Sequence, residues 1–279
     1  MKKVGLLLMA AIVSLSTFAQ AEYPDSPYDR PHTSDRRPIA LQHIRFADVM
    51  WSKKIERMLP LRERMNHPLY FPNNDEGKIG SRMSFTKLTI EGLKNGYFYA
   101  YDAMNATAIP LTEADVNAKL GASVDTIEVE TAEGDYVQQV IENKSDPTSI
   151  KFLIFREEWM LDKQRSILEP RIMWITFIRE YTRGGEDAEV RKSLAFKIYY
   201  PSAQALYARN EVFNPNSDVA ALTFYDILMK RMFSSFISKE SNQYNDREIN
   251  TYMLGIEQLY EAERIKDEIF RFEHDLWEF

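Results

Sequence analysis

The sequence predicts an α+β fold: a central, mostly antiparallel sheet over about residues 124–200, packed with N-terminal helices and a C-terminal pair of long helices. Three observations lead there. Between Val124 and Tyr200, two runs alternate apolar with polar residues around a turn, and the later runs are rich in β-branched and aromatic residues, both marks of strands. Before and after that stretch, apolar residues recur at spacings of three and four, the period of a helix face. The links between the strand-like runs are too short to hold crossover helices, so neighbouring strands run antiparallel.

The chain opens with Lys2 and Lys3, an apolar run from Val4 to Leu15, and the small residues Thr17, Ala19 and Ala21 at cleavage spacing. This is the pattern of a secretory signal peptide, placed at residues 1–19; cleavage after Ala19 or after Ala21 satisfies it. Residues 20–40 spread Pro24, Pro27, Pro31 and Pro38 among Asp, Arg and Ser without periodicity, and read as a flexible arm. Residues 41–279 are taken as a single α+β domain. Its first segment, with Val49, Met50, Ile55, Met58, Leu59 and Met65, reads as an amphipathic helix to about Asn66, kinked at Pro60 and ended by His67-Pro68. Leu69 to Pro72 reads as extended. Ser84 to Asn95 and Thr112 to Leu120 read as short helices, each followed by a glycine stop, Gly96 and Gly121, with an aromatic strand at Tyr97 to Tyr101 between them.

Val124 to Glu130 and Tyr136 to Glu142 flank a turn with Gly134, the signal of a hairpin. Ser149 to Met160 and Ser166 to Tyr181 form the next two strands around a turn at Asp162 to Arg165, with Pro170 marking a bulge or an edge. Arg183 to Lys192 reads as a charged loop and Leu194 to Tyr200 as the last strand. Pro201 to Ala208 opens a short helix. Ser217 or Asp218 then caps a helix to about Ser238. Asn245 and Glu248 have capping-box spacing and open the terminal helix, with Gly255 as its weak point. Its stripe runs through Ile249, Tyr252, Ile256, Leu259, Ala262, Ile265, Ile269, Phe272, Leu276 and Phe279. That is roughly 45 Å of helix, so something large must cover it.

Composition narrows the chemistry. With 42 acidic against 35 basic residues the formal net charge is −7, which makes nucleic acid an unfavourable partner. The absence of cysteine excludes disulfides, thiolate catalysis, cysteine-ligated metals and a lipid anchor on this chain. The expected location is therefore the periplasm, with the outer membrane reached only through a partner. Four isolated histidines without HExxH spacing give no zinc site, and neither a metal nor a cofactor is expected. Glu157-Glu158-Trp159 is the best enzymatic candidate, since carboxylates beside an aromatic platform suit a glycan cleft. Adjacent strand residues face opposite ways, so at most one of the two carboxylates would enter a given cleft. A periplasmic glycan-binding or glycan-cleaving protein is the alternative reading.

On the terminal helix, Arg264 with Glu268, Asp267 with Arg271, and Arg271 with Asp275 have ion-pair spacing. Glu273, Asp275 and Glu278 crowd the C-terminal end, where the helix dipole disfavours acids. The tip is therefore expected to dock, onto arginine-bearing parts of its own fold or onto a partner. Phe272, Asp275, Trp277, Glu278 and Phe279 are the candidate partner interface.

Several tracts carry a family resemblance. They are Ala47 to Lys53, Leu61 to Pro68, Trp159 with Asp162 to Ser166, Lys230 to Phe233, Ser238 to Asn242, Glu263 to Lys266 and Phe272 to Phe279. Over roughly residues 41–279 the chain resembles the GldN/PorN family, departing from it at Pro60 and in a short 183–192 loop. The resemblance implies a non-enzymatic component of the type IX secretion and gliding-motility machinery. It implies self-association in a periplasmic ring with a GldK/PorK-like lipoprotein, contact with a GldM/PorM-like motor subunit, and no catalytic residue.

Overall fold

The computed structural model describes residues 35–73, 78–79, 82–105, 108–130, 136–143, 145–183, 189–214, 217, 219 and 221–276. The expected signal peptide, most of the arm, the Gly134 turn, and Trp277, Glu278 and Phe279 lie outside the described residues.

Val49–Pro60 is strand β1, not the expected helix. Ile55 and Leu59 are fully buried and Arg57 nearly so, a period of two that pairs with one strand on each side. Pairing with a strand on each side decides for the strand, and Pro60, which inside a helix would cost about 3 kcal/mol, here simply ends it. A 3-10 turn at Arg64–Asn66 leads into helix α1, His67–Tyr70, where extended chain is expected; Pro68 sits in its first turn, where no N–H is needed. Strands β2 (Lys78–Ile79) and β3 (Arg82–Met83) pair with each other. Helix α2, Phe85–Lys94, forms where expected, with the Ser84 hydroxyl accepting from the Lys87 N–H at 3.3 Å.

Strands β4 (Ala100–Asp102) and β5 (Pro110–Leu111) come next. Helix α3, Glu113–Lys119, opens on a Thr112–Asp115 capping box. It closes with the Ala122 N–H on Asn117 at 2.9 Å and Gly121, at φ +96°, on Ala118 at 3.0 Å. A Cβ on Gly121 would lie 2.2 Å from the Arg179 guanidinium. Gly121→Ala is therefore expected to lose about 1–3 kcal/mol, read from the midpoint of urea unfolding.

The predicted hairpin is present as β6 (Ser123–Glu130) and β7 (Tyr136–Asn143), a two-stranded sheet of its own. Strands β8 (Ile150–Asp162), β9 (Ile167–Arg183) and β10 (Glu189–Tyr199) form the centre, and β10 begins inside the stretch that reads as a charged loop. Pro170 lies in the part of β9 beyond the reach of β10, so its missing N–H removes no ladder bond on that side. Helix α4, Tyr200–Arg209, follows.

The expected helix to Ser238 is instead helix α5 (Phe224–Met229) and strand β11 (Phe236–Glu240). A capping box of Thr223 and Asp226 starts α5 late, and Arg231 at φ 52° ends it early. Helix α6, Glu257–Asp275, begins well after Asn245. Asn245 (φ 61°) and Asp246 (φ 54°) are left-handed and form a turn, held by Asn242 accepting from the Tyr244 and Arg247 N–H groups at 3.0 and 3.3 Å. The C-terminal pair is thus one long helix and one short one.

The main sheet has the order β11-β1-β8-β9-β10-β4-β5, and its neighbours are antiparallel, as expected. It reaches beyond 124–200 by recruiting β1, β4, β5 and β11. Leu153, Phe155, Glu157, Trp159 and Leu161 alternate along β8 and so share one face; a bulge in β9 opposite Arg156 and Glu157 keeps Ile172 and Ile175 on that side. Over one half of this face lie α2, α4 and α5, with Phe85 stacked on Tyr207 at 4.8 Å and on Phe177 at 5.9 Å. Over the other half lies α6, whose Ala262, Ile265 and Ile269 meet Ile55, Leu161, Leu168 and Ile237. The last part of the expected arm is tied to the first half: Arg36 donates to the Ala221 carbonyl at 3.1 Å and the Ile39 N–H to the Tyr225 hydroxyl at 3.1 Å.

Candidate functional site

Between the two apolar clusters lies one carboxylate. Glu157 on β8 is 0% exposed. Its Oε2 accepts from Arg57 Nε at 3.1 Å, Arg231 Nη2 at 3.0 Å and Trp159 Nε1 at 3.1 Å. Its Oε1 is also 3.0 Å from Arg231 Nη2, an ion-pair distance without hydrogen-bond direction. Both guanidiniums lie over the Trp159 ring, Arg57 at 5.8 Å and Arg231 at 5.5 Å, and Arg231 lies 5.4 Å from the Phe233 ring.

Each partner has a local reason to be there. Arg57 is an inward position of β1, one pleat from Ile55 and one from Leu59. Arg231 is held by the end of α5. The Met232 N–H bonds Ile227 at 2.9 Å and the Arg231 N–H bonds Leu228 at 3.3 Å, a closure whose left-handed residue is ordinarily glycine. An arginine there costs about 1–2 kcal/mol of backbone energy. That strain is offset by the side chain: without Arg231 the buried pair would lose one of its two cations. Burial pulls the Arg57 guanidinium below its ordinary value, Glu157 raises it again, and the nearby charge of Arg231 lowers it further.

Two guanidiniums share one carboxylate, so donors are left over. Among the described residues no acceptor meets the terminal nitrogens of Arg57, nor Nε and Nη1 of Arg231. The Arg57 side chain is only 9% exposed. Beside it opens a cavity of ≈ 690 Å³ whose walls include Arg57, Trp159, Arg231, Phe233, Phe270 and Glu273.

Glu157 and Glu158 face opposite sides of the sheet, as expected of adjacent strand residues. Glu157 is enclosed and committed to its three donors, while Glu158 is half-exposed on the opposite face. No two-carboxylate cleft forms there, so this pair offers no geometry for glycan cleavage. Among the described residues, no group of three or more histidines and acids is placed to hold a metal ion.

The predicted interface residues divide. Phe272 is half-buried and rests on Trp51, with ring centroids 4.7 Å apart. Asp275 is exposed, and Trp277, Glu278 and Phe279 lie outside the described residues. Of the three expected ion pairs, Arg264–Glu268 forms at 3.3 Å, beside a shorter Arg264–Glu261 contact at 2.7 Å. Hydrogen bonding to Glu261 holds the Arg264 guanidinium above its ordinary value, and Arg264 holds Glu261 below the usual carboxylate range. Arg271 makes neither of its two expected pairs within the described residues.

Helix α6 also carries exposed apolar residues, interspersed with the acids Glu263 and Asp267. Leu259 is 54% exposed, Tyr260 69% and Phe270 65%, and Ile256 at its start is exposed too. At about 100° per residue these four fall within a 100° arc, away from Ala262, Ile265 and Ile269. Residue reasoning singled out Glu157 but neither arginine. The available signal was an acid at an inward position of a strand, which obliges a cation to face it.

The molecule is thus an α+β protein with a buried charge cluster and a long helix, covered on one side and bearing exposed apolar residues among charges on another. It matches the family described as gliding motility associated protein GldN over residues 44–278, and it belongs to that family, a component of the gliding-motility and type IX secretion apparatus. No curated protein matches the chain.

Proposed function

We propose that the protein is a non-enzymatic structural subunit of this apparatus. It assembles in a periplasmic ring with a GldK/PorK-like outer-membrane lipoprotein and contacts a GldM/PorM-like motor subunit. Family membership supports the setting. The observation that carries the structural reading is the uncovered side of α6. Ile256, Leu259 and Tyr260 form an exposed apolar patch at the start of the most C-terminal helix, with Phe270 further along beyond the exposed acids Glu263 and Asp267, and aromatic and aliphatic anchors of this kind dominate protein interfaces once covered. Its occupant in this reading is the lipoprotein. Charge agrees with the setting, since an acidic chain suits a protein partner better than a nucleic acid. Among the described residues no helix is long and apolar enough to cross a membrane. The export pattern at the start of the chain supports the periplasm, and the absence of cysteine makes a lipidated partner the route to the outer membrane.

The test is co-expression with the lipoprotein, pulldown through a tag on either chain, and negative-stain imaging of the eluate. Co-purification as large closed particles is the expected result. Recovery of each protein alone, as a monomer, would overturn the reading.

A further inference from the structure

The cavity beside Glu157 presents three kinds of chemistry. Its inner wall is positive. Arg57 and Arg231 share the single carboxylate of Glu157, which leaves an excess of positive charge and several guanidinium N–H groups without an acceptor. The Arg57 side chain is nine-tenths buried, and the cavity it lines is where an acceptor can reach it. Trp159, Phe233 and Phe270 form an apolar wall. The rim is negative. Asp267 and Glu273 are exposed on α6 and pair with no cation among the described residues, whereas Lys266 is taken by Glu263 at 2.9 Å.

A bare anion suits the inner wall but is repelled at the rim, and a bare cation has the opposite fault. A ligand that carries both charges on an aromatic body meets all three walls. Its carboxylate takes the leftover guanidinium N–H groups, whose fork matches two carboxylate oxygens. Its amine turns to Asp267 or Glu273 at the rim. Its ring packs on Trp159, Phe233 and Phe270, where aromatic pairs add to the simple burial of area. The volume, ≈ 690 Å³, falls within the span of small-ligand sites, roughly 300–1,000 Å³. We propose that this cavity binds an aromatic amino-acid unit through its carboxylate, its ring and an adjacent cation. The unit is either a free amino acid or the carboxy-terminal residue of a polypeptide whose neighbouring side chain supplies the cation. Bound there, it ties α6 to Arg57 on β1 and to Arg231 at the end of α5. The inference does not rest on the ring reading, and its test uses the isolated protein.

Saturation-transfer NMR reads the binding of four probes to the full chain. L-phenylalanine stands for the free amino acid, and N-acetyl-lysyl-phenylalanine for the chain end. Hydrocinnamate keeps the ring and carboxylate without the amine, and phenethylamine keeps the ring and amine without the carboxylate. At least one of the first two is expected to bind with a Kd of about 1 mM or tighter, and the better of them identifies the source. Hydrocinnamate and phenethylamine, each lacking one charge, are expected to bind about tenfold more weakly or worse. Phe270→Ser removes an exposed part of the apolar wall and is expected to weaken the better probe about fivefold. Asp267→Asn combined with Glu273→Gln is expected to weaken that probe several-fold and to tighten hydrocinnamate, because the rim no longer repels a bare anion. A variant that merely disturbed the fold would weaken both, and circular dichroism checks the fold of each. No transfer to either amino-acid probe at about 10 mM overturns the proposal. So does phenethylamine binding as well as the amino-acid probes, which would make the carboxylate irrelevant. Affinities unchanged in both variants would place the ligand elsewhere and overturn it too.

Discussion

Glu157→Gln is expected to cost about 3–5 kcal/mol of folding stability, the loss that follows when one partner of a buried ion cluster is neutralised. Three donors converge on this carboxylate, and two of them are guanidiniums. Glutamine keeps the shape but leaves buried Arg57 and half-buried Arg231 with no anion between them, and its amide N–H groups meet donors instead of acceptors. The adjacent Glu158→Gln is the control: Glu158 is half-exposed, and its expected effect is within about 0.5 kcal/mol. Urea unfolding of both variants at neutral pH checks the contrast. Arg231→Gly is the informative companion. It relieves the left-handed backbone at φ 52° yet removes a cation from Glu157, so a net loss of stability would show that the ion pair outweighs the strain.

The second large effect concerns α6. Ile265 is 0% exposed and stands at the centre of the cluster that joins the helix to β1, β8, β9 and β11. Ile265→Ala removes buried methyl and methylene groups and leaves a cavity, with an expected loss of about 2–5 kcal/mol. The same helix offers the opposite experiment on its other side. Leu259→Ser and Tyr260→Ser replace exposed side chains and are expected to change stability by no more than about 0.5 kcal/mol. In the proposed function they remove interface anchors, each with an expected cost of 2 kcal/mol or more in binding. Stability and assembly are thus predicted to separate on two sides of one helix.

Much of this architecture is legible in the residues, and the exceptions have identifiable causes. Ser84 and Thr112 announce their helices, and Gly96 and Gly121 end them, because capping and left-handed closure are local chemistry. The strands β8 and β9 and the turn between them follow from their β-branched and aromatic content and the polar run Asp162 to Arg165. β1 escaped because Val49, Met50, Ile55, Met58 and Leu59 fit a helix as well as a strand. What decided was pairing with β8 and β11, residues distant in the sequence. β11 escaped for the same reason, and Arg231 hid the end of α5 by occupying a place where glycine is the usual sign. The terminal stripe was legible in direction but not in fate. Ala262, Ile265 and Ile269 are covered, whereas Leu259, Tyr260 and Phe270 are not, and periodicity cannot tell a face that meets the sheet from one that meets another protein. The charge cluster was half legible, since Glu157 sits at an inward position but its cations come from segments 100 and 74 residues away in sequence.

The central claim is that the uncovered side of α6 is an assembly surface. The most direct test is the particle mass, in solution, of the protein co-expressed with the lipoprotein, for the unmodified chain and for the Leu259→Ser/Tyr260→Ser double variant. The account predicts large particles holding both chains for the unmodified pair. For the variant it predicts separate monomers whose unfolding midpoint is unchanged. Particles of the same mass from both would contradict it.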